Sequence, residues 1–184
     1  MKIEISTKHI LNVLQVLSWI IFIGLCIEAG TIIFNLAYTF AVKPINTDNF
    51  WQGADLSDLY RNDHGHFMVI ALFMIIVAVM KAIIFYLIIK LFVDKKLSIA
   101  QPFTSKLRAA ILNVAFLTLG ISFFSHYGSK YVAWLSEQKI EMPDPNKLDL
   151  YAADVWFFMA IILFVIAKVV KRGIEIQTEN DLTI

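Results

Sequence analysis

The chain has 184 residues, 59% of them hydrophobic and only 17% charged, with a mean hydropathy of +0.70. This excludes an ordinary soluble domain, in which about a quarter of residues are charged. The net charge of +1 conceals a strong asymmetry between segments.

Four apolar runs, at 10–42, 67–93, 107–124 and 152–170, each reach or nearly reach the about 20 residues an α-helix needs to cross a hydrocarbon core. The expected fold is all-α: one integral membrane bundle over 1–184, with spans at about 13–41, 67–92, 107–126 and 152–170. Outer loops at about 43–66 and 127–151 and a tail at 171–184 complete it. The loops are long enough for a short surface helix but too short for a core of their own. Lys2 and Lys8 before the first run imitate a signal peptide. That run is about twice the length of a secretory apolar region and lacks a small-residue cleavage site, so it is expected to be retained as a helix. Leu25 before Cys26 argues against a lipoprotein site, and the lone Cys26 cannot form an intrachain disulfide.

In the first span, Gly24, Glu28, Thr31 and Asn35 recur at i, i+4, i+7 and i+11. They predict a polar stripe turned into the bundle, because lipid offers no partner for a carboxylate or an amide. The following loop mixes Phe50, Trp51, Leu56, Leu59 and Tyr60 with acids, which predicts a partly helical segment on the membrane surface. His64 and His66 open the second span, and His126 ends the third on the same side. With Asp63 they are weak metal candidates, but His-Gly-His lacks the i, i+4 spacing of a dedicated helical site, and neither metal nor cofactor is expected.

The second span carries Lys81 beside Ala71, Ala78 and Ala82, small residues that permit close helix approach. An inner turn with Lys95, Lys96, Lys106 and Arg108 follows, where Pro102 breaks the helix and Thr104 or Ser105 can cap the next one. The third span offers Ala109, Asn113, Phe116 and Gly120 on one face. The fourth is the plainest and is expected to be the most lipid-exposed. Trp51, Tyr60, Tyr127, Tyr131, Trp134, Tyr151 and Trp156 gather near the outer interface as an aromatic belt.

With both termini placed inside, the inner segments hold ten Lys and Arg against five acids, and the outer loops five against nine. This follows the positive-inside rule and predicts cytoplasmic termini. The basic inner turn reads as this topology signal and an anionic-lipid contact, so no direct nucleic-acid binding is expected.

Glu28 and Lys81 are the only acid and base deep inside a run, and a charge at that depth is a functional-site candidate. Three readings stand: a structural ion pair between neighbouring spans, a relay or ligand counter-ion, or an unpaired lysine that snorkels. Motifs for a hydrolase elbow, a zinc protease or a phosphate loop are absent, so no enzyme is expected.

The chain ends Glu179-Asn180-Asp181-Leu-Thr-Ile after Lys171, Arg172 and Glu175, and its inner turn carries Asp94, Pro102-Phe103-Thr104, Leu107 and Ile111. Both segments resemble the domain of unknown function 2975 family of small four-span bacterial membrane proteins. Its members typically end in Glu-Asn-Asp-Leu-Thr followed by Val or Ile. The resemblance implies a multi-pass protein of a bacterial cytoplasmic membrane with no established activity. Members are often encoded beside a small helix-turn-helix regulator, which suggests a transcription regulator as partner. Glu175, Glu179, Asn180 and Asp181 are the candidate partner-binding tail; alternatively the tail folds back on Lys95, Lys96 and Arg108 as a plug. The function expected is a non-catalytic regulator or sensor. The alternative is a subunit of a small oligomeric transporter or channel with Glu28 and Lys81 in an ion path, and a homo-oligomer fits either.

Overall fold

The computed structural model describes residues 7–41, 47–93 and 103–181. Among them are α1 (Thr7–Ala41), α2 (Ser57–Asn62), α3 (His64–Val93), α4 (Ser105–Glu137) and α5 (Ala153–Asp181). The fold is all-helical, and α1, α3, α4 and α5 are long and apolar enough to cross a membrane. At 29–35 residues, these four reach roughly 44–52 Å against about 30 Å of hydrocarbon, so their ends project. The end where α1 starts and α5 finishes is called inner, the opposite end outer.

The helices pack in sequence: α1 on α3, α3 on α4, and α4 on α5, while α1 and α5 do not pack on each other. α1 is the least covered: 6% of its apolar window is buried against 17% for α5, so the first span rather than the fourth faces lipid most. The buried positions advance by threes and fours. On α3 they include Phe67, Ile70, Met74, Val77 and Ile84, and on α4 Ala115, Thr118, Ser122, Ser125, Val132 and Leu135. This is the near-3.5 period of helices that follow one another over a long seam.

That seam corrects the expected polar stripe of α1. The buried line runs through Ser18, Ala29, Ile32, Asn35 and Thr39. Gly24 is exposed with open space around it, and the Thr31 hydroxyl donates to the Ile27 carbonyl of its own helix at 2.8 Å. A stripe read at i+4, i+7 and i+11 drifts off a seam of shorter period, so Gly24 and Thr31 fall on its flank while Glu28 and Asn35 stay near it. On α4 likewise, Asn113 and Phe116 are exposed, and Phe116 packs edge-on against Phe164 of α5 with ring centroids 5.2 Å apart.

The outer segments hold the best-buried part of the molecule, contrary to the expectation that they lack a core. Phe50, Ala54, Leu56, Leu59, Leu148 and Leu150 are all 0% exposed. A tight turn at 50–54 forms through Phe50 N–H to Ala54 O at 2.9 Å and Ala54 N–H to Trp51 O at 2.8 Å. Asn35 of α1 fixes this turn, its side-chain amide donating to Phe50 O at 2.7 Å in a buried setting. Asp58 of α2 accepts from Glu141 N–H at 2.9 Å, which ties the first outer segment to the linker between α4 and α5. Asp63 caps α3, its carboxylate accepting from Gly65 N–H at 2.6 Å and His66 N–H at 2.9 Å. Thr104 caps α4 by accepting from Leu107 N–H at 3.1 Å.

Asn35→Ala leaves the buried Phe50 carbonyl without its donor, so a loss of about 1–3 kcal/mol is expected. Unfolding of the purified protein in micelles reads it, and no loss would show that the turn stands without α1. The His66 and Gly65 amides hold the Asp63 carboxyl below the ordinary aspartate range. The cap therefore contributes fully above about pH 3.9 and is lost as pH falls through the lower folded value. Hydrogen exchange at Gly65 and His66, corrected for intrinsic rates, should lose protection only in that acidic window.

Candidate functional site

Lys81 lies on the buried seam of α3, between Val77 and Ala78 on one side and Ile84 on the other. It stands roughly 25 Å along the helix from His64. A lone ammonium there would lack counter-charge and water. The structure supplies a carboxylate from an unexpected place: Lys81 Nζ pairs with Asp149 of the outer linker, at side-chain exposures of 14% and 18%. The Trp156 ring of α5 lies 5.9 Å from the ammonium, measured to its centroid.

Asp149 reaches this depth because the linker folds back down the outer part of α4. Ser129 of α4 donates to Leu150 O, and Ser122 donates to Ala153 O at 2.6 Å. Gly128 makes the approach possible, since a Cβ there would stand 2.9 Å from Leu150 Cδ1. Asp149 and Ala152 adopt φ of 57° and 53°, a left-handed backbone that Asp tolerates and Ala adopts at a cost. The descent puts the first turn of α5 beside Ser122, well below the outer end of α4.

Glu28 enters from α1 near both Asp149 and Lys81. The expected Glu28–Lys81 pairing is thereby corrected: the two are brought to one cluster, but the carboxylate on the ammonium is Asp149. The linker delivers Asp149 onto Lys81, while Glu28 stands beside Asp149. Two carboxyl groups thus stand near one ammonium, and the ion pair is the one between Lys81 and Asp149.

On the inner side of the cluster the four long helices surround a half-open crevice of about 370 Å³. Ile21 and Leu25 of α1, Ile84 and Ile88 of α3, Val114 of α4 and Leu163 of α5 line it. Lys81 and Trp156 form its outer rim.

The other candidate residues lie apart from the cluster. His66 Nδ1 is 2.5 Å from the Tyr131 hydroxyl, and His64 packs edge-on against Tyr60 at 4.3 Å between ring centroids. His126 stacks edge-on with Tyr127 and shares a separate outer crevice with Asp154. Among the described residues no three His, Cys, Asp or Glu converge as a metal site. At the inner end Lys90, Lys106 and Asn113 line a cleft between α3 and α4. Lys95, Lys96 and Pro102 fall outside the described residues.

The tail is helical: α5 continues through Glu175, Glu179 and Asn180 to Asp181. Glu175 pairs within its own helix, with Lys171 at 3.7 Å and Arg172 at 3.0 Å. Gly173 lies against Phe103, whose Cγ would stand 2.6 Å from an added Cβ. Gly173 thus places this part of α5 beside the segment that leads into α4, while Lys95 and Lys96, against which the tail was expected to plug, lie outside the described residues.

Asp149 is the residue the sequence reading missed, because it belongs to a loop and lies 68 positions from Lys81. The signal available was the row of Ser122, Ser125, Gly128 and Ser129, small residues that mark a face on which backbone can dock.

Lys81→Met, made in a Glu28→Gln background, should cost on the order of 3–5 kcal/mol by stranding Asp149. Adding Asp149→Leu should recover most of that loss, and Glu28→Gln alone should change little because the Lys81–Asp149 pair survives it. Denaturant unfolding of these three variants and of Asp149→Leu alone in the Glu28→Gln background reads the coupling; strictly additive losses would mean that the two groups do not interact.

No curated protein and no solved structure matches this chain. Residues 51–184 match the model of the family described as Protein of unknown function (DUF2975). The matched part includes Lys81, Asp149 and Trp156 and leaves out α1 with Glu28. The match covers well over half of the sequence, and the chain belongs to the DUF2975 family.

Proposed function

We propose that the protein is a non-catalytic regulator or sensor of a bacterial cytoplasmic membrane, with both ends of the chain in the cytoplasm. The observation that carries this reading is the Lys81–Asp149 pair, which fastens the outer linker to the middle of a membrane helix. A change in the outer segments that frees Asp149 leaves Lys81 without its counter-charge, and α3 must then shift against α1 and α4, the long helices it packs on. The inner ends of α3, α4 and α5 carry Lys90, Lys106, Arg108, Lys171 and Arg172 and the acidic end of α5. That charged surface suits a cytoplasmic protein partner such as a helix-turn-helix regulator.

The charge cluster also motivates a second reading, a transporter or channel subunit with Glu28 and Lys81 in an ion path. Inward of Lys81, however, the side chains that line the crevice are apolar except for Thr118, whose hydroxyl donates to Val114 O of its own helix at 2.6 Å. The regulator reading is favoured on that ground.

Its test compares native membranes bearing the intact chain, a chain ending at Lys171, and the Asp149→Asn variant. A cytoplasmic protein should co-purify with the intact chain, be lost on truncation, and change at least several-fold in yield with Asp149→Asn. Recovery independent of both changes would overturn the reading.

A further inference from the structure

At the inner end of the bundle, α3 and α4 face each other across a cleft of about 290 Å³. Leu87, Lys90 and Leu91 of α3 lie at i, i+3 and i+4 on one helical face. Lys106, Ala109, Ala110 and Asn113 of α4 lie opposite, at i, i+3, i+4 and i+7. Lys90 and Lys106 each stand within a turn of their helix end, so both belong to the inner rim. Past them the walls are apolar, and Asn113 stands roughly 10 Å deeper along α4 than Lys106.

We propose that this cleft binds the head of one anionic phospholipid. Lys90 and Lys106 hold its phosphate, Asn113 donates to an ester carbonyl of its glycerol backbone, and the acyl chains leave past Leu87 into the bilayer. The order of groups with depth is that of a phospholipid, charge at the surface and ester carbonyls further in. Size agrees. At about 30 Å³ for each water-sized group, the cleft holds roughly ten groups, enough for a phosphate with its glycerol. A helix of a partner protein, some 10 Å across, does not fit.

Charge selects the ligand. Among the described residues neither lysine belongs to an ion pair, and no acid lines the cleft. Glu175 and Glu179 are on α5, which packs on α4 but not on α3. Lysines beside a membrane helix draw anionic heads, whereas a zwitterionic head brings an ammonium of its own and loses that attraction. Asn113 is an independent sign. Its side chain is exposed and has no hydrogen-bond partner among the described residues, and hydrocarbon supplies none. An ester carbonyl at that depth accepts from it. The inference goes beyond the regulator reading and leaves the charged end of α5 open to a partner.

The test uses the full chain in detergent micelles and counts bound lipid by native mass spectrometry. The probes are phosphatidylglycerol and phosphatidylethanolamine with identical acyl chains. The chain should retain one phosphatidylglycerol, at least fivefold more often than phosphatidylethanolamine. Lys90→Gln with Lys106→Gln should abolish that preference, while Lys171→Gln with Arg172→Gln, which removes as much charge from α5, should leave it unchanged. Asn113→Leu should lower retention several-fold. Ala109→Trp fills the cleft without altering any charge and should lower retention at least fivefold; Ala110→Trp serves the same purpose if the first variant does not fold. Millimolar inorganic phosphate should not displace the lipid. Equal retention of the two lipids, an equal loss from the α5 variant, retention that survives a filled cleft, or displacement by free phosphate would each overturn the proposal.

Discussion

The requirement that organises this molecule is counter-charge for one buried lysine. An ammonium on the seam of a membrane helix costs about 2.5–3.5 kcal/mol even on lenient scales. Snorkelling is closed to Lys81, whose side chain is 14% exposed. The chain answers by bringing a loop down to it. Asp149 can arrive only if the linker after α4 reverses direction and descends. That descent fixes where α5 begins, which face of α4 must be small and hydroxylated, and why left-handed backbone occurs at Asp149 and Ala152.

The same descent divides the molecule into two unlike halves. Outward of the cluster, space beside α3 and α4 is filled by loop and linker, with Phe50, Leu56, Leu148 and Leu150 completely buried. Inward of it, four helices meet around aliphatic side chains and leave a crevice. The outer half is therefore tied together by buried side chains and by hydrogen bonds such as Asn35 to Phe50 O and Asp58 to Glu141 N–H. Among the described residues, the inner half is joined by helix packing and by Phe103 against Gly173, and α1 is the least buried of the long helices. In the proposed reading, a signal that loosens the outer half would act on the inner half through α3 and the Lys81–Asp149 pair upon it.

The four membrane helices were legible from sequence because burial in lipid demands long apolar runs, a constraint that a single chain displays without help from tertiary context. The Thr104 cap was legible for a local reason, a hydroxyl three residues before an open amide. Glu28 and Lys81 were found as charges out of place, and the structure does bring them to one cluster. Asp149 was not legible, because an acid in a polar loop carries no sign of the depth it will reach. Gly24 and Thr31 were placed inward by a period slightly too long for the seam. The outer core was missed because its apolar residues are scattered singly through Asn49–Asp63 and 138–150, and only the tight turn and the Ser-rich face of α4 gather them.

The central claim is that Asp149 reaches Lys81. Disulfide trapping in native membranes tests it most directly, with Lys81→Cys and Asp149→Cys introduced together in a Cys26→Ser background. Under mild oxidation this pair should cross-link rapidly and within one chain, and faster than Lys81→Cys paired with Glu28→Cys. If the Glu28 pairing cross-links while the Asp149 pairing stays reduced, the linker does not descend, and the account of the charge cluster is wrong.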